Sequence, residues 1–121
     1  MGRRLQEVKN ERGQRLQKNE EEFRIAIEEK LENGFEIKDM DKSDVDNLHR
    51  FINETVGKRM SISQVDHRYL RKKDSNLNDA GGKNIIHYGH DGSTFRVFGY
   101  YNNAGYFVLT RIDGKHKTHR D

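Results

Sequence analysis

Residues 84–113 read NIIHYGHDGSTFRVFGYYNNAGYFVLTRID, and this stretch decides the fold. Apolar runs at Asn84–Gly89, Thr94–Tyr101 and Tyr106–Ile112 are separated by two turn signals. His90-Asp91-Gly92-Ser93 places a Gly and an Asp where a tight turn needs positive φ and Asx hydrogen bonding. Asn102-Asn103-Ala104-Gly105 has the composition of a hairpin loop. The stretch therefore predicts an antiparallel three-stranded meander. No other part of the chain is as apolar, so the core must form against this sheet.

Outward from the meander, the sequence becomes polar. Only 31% of the 121 residues are hydrophobic and 36% are charged, a composition that supports one small domain whose apolar residues must cluster. No stretch approaches the ~18 apolar residues of a membrane span, and the basic start MGRRLQEVKN has no apolar segment behind it, which points to the cytoplasm and away from a membrane. Cys is absent, which excludes disulfides, thiolate chemistry and Cys-ligated zinc. The net charge of +3 is uneven. Residues 1–60 hold 13 Lys/Arg against 14 Asp/Glu, whereas residues 61–121 hold 10 against 6 and five of the six His. The sheet half carries the excess base, a mild pointer to a polyanion beside the plain alternative of an ordinary solvated surface.

Before the meander, residues 3–33 are rich in good helix formers, and Phe23, Ile27 and Leu31 repeat at i, i+4, i+8. They predict a leading helix ended by Asn33-Gly34, with residues 1–34 as an N-terminal extension to a domain over 35–121. Phe35–Lys38 alternates and predicts a short strand with Phe35 and Ile37 inward. Ser43 is the expected N-cap of a second helix whose stripe is Val45, Leu48, Ile52 and Val56, closed by Gly57. Ser61-Ile62-Ser63-Gln64 fits a capping box, opening a third helix with Ile62, Val65 and Tyr69 inward and Arg71-Lys72-Lys73 at its end. Asp74–Lys83 is a polar loop, and Gly114–Asp121, GKHKTHRD, is a basic tail. The expected class is α+β, with strand, helix, helix and meander in order, helices on one face of the sheet and the other face open.

That order resembles the RelE/ParE superfamily of toxins. Gly92–Tyr101, GSTFRVFGYY, is similar to its central strand, Tyr106–Ile112 to the strand that follows, and Lys115–His119 to its basic, His-bearing end. The resemblance spans residues 35–121; the leading helix and the Asp74–Lys83 loop depart from the compact members. It implies a ribosome-dependent endoribonuclease that cuts mRNA and is neutralised by an antitoxin protein. The implied chemistry is attack of the ribose 2′-hydroxyl on the adjacent phosphate, which needs a base, cations and an acid but no cofactor or metal. On this resemblance Arg96 is the phosphate clamp, His119 or His116 the acid/base, Lys117 a supplement to the positive field, and Tyr101 a stacking or proton-transfer group. Lys83, His87, His90, Arg111, Lys115 and Arg120 are the implied RNA-binding positions. A strand-surface Arg, solvated tail His and half-buried Tyr are the plain alternatives. His87, His90 and Asp91 also invite a metal, but residues three apart on a strand face opposite sides. A non-catalytic nucleic-acid- or protein-binding module of phage or plasmid type is the rival function.

Overall fold

The apolar runs pair as the meander requires. The computed structural model describes residues 20–71 and 84–114, in which β1 (Ile25–Ala26), α1 (Lys42–Thr55), α2 (Ile62–Tyr69), β2 (Leu70–Arg71), β3 (Ile86–Tyr88), β4 (Arg96–Tyr101) and β5 (Phe107–Asp113) follow in chain order. The class is α+β. Among the described residues one mixed sheet has the order β1-β5-β4-β3-β2, with β1 parallel to β5 and every other pair antiparallel. Gly92 takes φ +80° in the β3–β4 turn, a conformation that a side chain would strain. Between β4 and β5 the register slips at Phe98/Gly99, leaving Thr110 as the extra residue of a bulge. Its hydroxyl donates to the Phe98 carbonyl at 3.2 Å.

One sheet face carries Tyr88, Val97, Phe107, Leu109 and Ile112, and the helices deliver Phe51, Ile62, Val65 and Tyr69 against it. Aromatic rings fill the centre. Phe23 meets Phe51 and Tyr88 edge-on at 6.0 and 5.7 Å, and Tyr88 meets Phe107 edge-on at 5.1 Å. Large rings let a chain with few apolar residues close a core, since each buries roughly 150–250 Å².

The expected helix does not extend through residues 20–33. Phe23 is buried, but its chain is extended: Phe23 N–H donates to the Met60 carbonyl and Ile62 N–H to the Glu21 carbonyl, both at 2.8 Å. The segment then runs beside β5, where Phe107 N–H donates to Arg24, Glu32 N–H to Thr110 and Ile112 N–H to Phe35. Ile27, which the helical stripe placed inward, is 56% exposed. The reason is tertiary: β5 would otherwise present an unpaired edge, and covering it outweighs a helix propensity of a few tenths of a kcal/mol per residue. Residues 3–19 of the expected helix lie outside the described residues.

Phe35–Lys38 is not a strand. Ile37–Asp39 forms a 3-10 turn held by reciprocal side-chain caps from Glu36 and Asp39, and Ile37 is exposed. Asp41, not Ser43, caps α1, accepting from Asp44 N–H at 2.9 Å while Asp44 accepts from Asp41 N–H. The helix is where the periodicity predicts, but it is turned. Phe51 is 1% exposed whereas Val45 is 50% exposed, and Ile52 and Val56 are also exposed. Burying one Phe ring removes more apolar area than any β-branched member of the expected stripe, and Thr55 can join that face because its hydroxyl donates to the Phe51 carbonyl at 2.8 Å. By contrast α2 follows its sequence: Ser61 and Gln64 form the capping box, and Ile62, Val65 and Tyr69 are buried. It stops at Tyr69, so that Arg71 belongs to β2 instead of the helix end.

The sheet face away from the core cluster is not open. Phe98, Tyr100, Val108, His87 and Asp113 are all buried although none belongs to the core cluster. Phe98 stacks on His87 with centroids 4.9 Å apart and planes 7° apart, and the Arg111 guanidinium lies over Phe35 at 4.2 Å and Phe98 at 5.5 Å. RVFGYY is an almost unbroken apolar run, the pattern of a strand covered on both faces.

Candidate functional site

Where β3 leaves the sheet, backbone packing fixes a polar cluster. Gly89 N–H donates to the Tyr69 carbonyl at 2.9 Å, which ties the β3–β4 turn to the end of α2. Any side chain at Gly89 would collide: a Cβ would stand 2.6 Å from both the Phe95 carbonyl oxygen and Arg96 Nη1. Arg96 therefore folds across Gly89, and its Nη1 donates to the carbonyls of Ser93 at 2.6 Å and Phe95 at 2.8 Å. Burial, then the neighbouring Arg71 charge, lowers its pKa. Arg71 itself donates to Asp91 at 2.8 Å.

His90, in the β3–β4 turn, reaches across to α1. Its Nε2 lies 2.9 Å from Glu54 Oε1, which also accepts from the Tyr69 hydroxyl at 2.9 Å. Arg50, one helical turn before Glu54, stands 3.4 Å from Oε2. The edge of the Tyr69 ring packs on the imidazole, with centroids 4.9 Å apart. The His90 hydrogen bond, with further help from Tyr69 and from the charges of His90 and Arg50, outweighs partial burial and holds the Glu54 carboxyl down at about 2. Burial and the Glu54 carboxylate raise the Tyr69 phenol in turn. With Glu54 ionised, the proton on Nε2 faces the carboxylate, and in the neutral ring the lone pair is then on Nδ1. Nδ1 has no hydrogen-bond partner among the described residues. An imidazole oriented by a carboxylate is equipped to move a proton.

A second polar chain lies deeper. The Tyr88 hydroxyl donates to Asp66 Oδ1 at 2.5 Å and lies 2.7 Å from the Tyr101 hydroxyl. Burial raises both phenol pKa values well above the ordinary tyrosine range, so both rings stay neutral.

Of the sequence-derived candidates, His90 lies in the β3–β4 turn and faces α1, Arg96 opens β4 and bonds to the carbonyls of Ser93 and Phe95, and Tyr101 sits at the far end of β4. His87 and Arg111 are on the other sheet face, His87 stacked on Phe98 and Arg111 bonded to Glu32. The His87, His90 and Asp91 set does not converge, and among the described residues no group of three or more His, Asp or Glu is arranged for a metal ion. No helix among those residues is long and apolar enough to cross a membrane. Lys83, Lys115, His116, Lys117, His119 and Arg120 lie outside the described residues. Sequence reading missed Glu54, Tyr69, Arg50 and Arg71. Only the i, i+4 spacing of Arg50 and Glu54 was a local signal, and it looks like any exposed helix pair. Comparison of the chain with protein-family models, curated proteins and solved structures finds no match.

Proposed function

We propose that this domain is a RelE-like endoribonuclease that cuts mRNA in the cytoplasm, on the ribosome, and is neutralised by an antitoxin protein. The observation that carries the reading is the His90–Glu54 pair, in which a carboxylate on α1 holds the imidazole of the β3–β4 turn. In the reaction His90 Nδ1 takes the proton of a ribose 2′-hydroxyl as that oxygen attacks the adjacent phosphorus. The P–O5′ bond breaks, leaving a 2′,3′-cyclic phosphate, and the departing 5′-oxygen takes a proton from an acid for which His119 is the candidate. Arg96, which opens β4 just after the turn, is the candidate for stabilising the charge that gathers on the phosphorane oxygens. Glu54 is a positioning residue, fixing the tautomer of His90.

The test is tightly repressed induction in a bacterial host, with primer extension across abundant transcripts. Growth arrest with new, translation-dependent 5′ ends is expected, with both lost in His90→Ala while that variant stays folded at the growth temperature. Normal growth and intact transcripts would overturn the reading.

The engagement of Arg96 Nη1 by two turn carbonyls favours a second reading, a non-catalytic RNA- or protein-binding module in which Arg96 fastens the turn. Under it, purified protein binds RNA in a salt-sensitive manner and releases no product.

A further inference from the structure

At the end of β4 remote from His90, a cavity of about 410 Å³ is lined by Glu28, Asn84, Tyr100, Tyr101, Asn102 and Asn103. Its polar wall is arranged in advance. Asn102 Oδ1 accepts from the backbone N–H groups of Ala104 and Tyr106, each at 3.0 Å, which fixes the amide and sets its Nδ2 on Glu28 Oε2 at 2.7 Å. One carboxylate oxygen of Glu28 is thereby held, and Oε1 keeps no hydrogen-bond partner among the described residues. A phosphate would be repelled by that carboxylate. A neutral, planar ring with N–H donors along one edge is the complementary ligand, and Tyr100, which lines the cavity, offers aromatic surface to it.

We propose that this cavity is a nucleobase subsite that selects guanine. Guanine presents N1–H and the exocyclic 2-amino group side by side, two donors for a carboxylate, while Asn103 offers an amide donor to O6. The inference rests on the RNA-cleaving reading and gives it a sequence preference. The subsite and the His90 turn lie at opposite ends of β4, five residue steps or ~16 Å apart. The base that is read is therefore not the nucleotide whose 2′-hydroxyl is deprotonated.

Chemical-shift titration of the full chain with guanosine, adenosine, cytidine and uridine tests this, repeated on Glu28→Gln and His90→Ala. Guanosine is expected to bind at least tenfold more tightly than the other three, with shifts at Tyr101 and Asn102. Glu28→Gln should lose at least tenfold of that affinity at an unchanged melting temperature, and His90→Ala should bind guanosine as the parent does. Equal binding of all four nucleosides, no binding at all, or an unaltered preference in Glu28→Gln would overturn the proposal. Binding is read without cleavage, so the two readings fail separately. A chain that selects guanosine and cuts no RNA overturns the nuclease alone, whereas one that cuts RNA and binds nucleosides indiscriminately overturns the subsite alone.

Discussion

Glu54 ties the acid stability of the domain to its chemistry. Its folded-state pKa of about 2 lies below the ordinary carboxyl value of 4.5, so the stabilisation is fully present above pH 4.5 and is lost as pH falls toward 2. Because the carboxylate is part-exposed and screened by solvent, the contribution is discounted to about 1 kcal/mol. Melting temperature measured between pH 2 and 6 should therefore fall less steeply in Glu54→Gln than in the parent, and parallel curves would show that the pair contributes nothing. Gly89 makes the complementary point about space. Gly89→Ala forces a methyl group into Arg96 and the Phe95 carbonyl, and overpacking of this kind costs about 1–3 kcal/mol. Urea unfolding should show a lowered midpoint at an unchanged slope. Neither residue announces itself in the sequence: a Gly after a strand reads as punctuation, and Glu54 acquires its partner 36 residues away.

At the scale of the elements, α1 separates what periodicity can tell from what it cannot. The stripe Val45, Leu48, Ile52, Val56 located the helix correctly, and Leu48 packs against the core, but Val45, Ile52 and Val56 are exposed because Phe51 and Thr55, one position back, take the buried face. Hydrophobicity alone did not weigh a ring against a β-branched chain. Phe51→Ala should cost about 3–5 kcal/mol, while Ile52→Ala, on the more exposed side, should cost under about 1 kcal/mol. The reverse ranking in denaturant would restore the sequence-derived face. For α2 both levels agree, since Ser61 has its capping partner at Gln64 and no competing stripe exists. Ser61→Ala should lower stability by about 1 kcal/mol, read as a drop of a few degrees in melting temperature.

Across the whole molecule, the meander was legible because it is built from neighbours in sequence, with turn residues between runs of the right length. β1 was not, because nothing near Phe23 reveals that β5 needs a partner. The open basic face was misread for a related reason: an almost continuous apolar strand can be buried on both sides, and only the assembled sheet shows that it is. The candidate site followed the same rule, with His90 visible in its turn and the residues that hold it, Glu54 and Tyr69, on two helices. The seam between β1 and β5 also sets the order of events during synthesis. Phe23 emerges from the ribosome long before Phe107, and the bond from Arg111 to Glu32 joins residues 79 apart. Until β5 has been made, the nascent chain carries an aromatic side chain with no core to enter and a backbone edge with no strand to join. Folding of this domain therefore waits for β5, the last strand among the described residues, to be made.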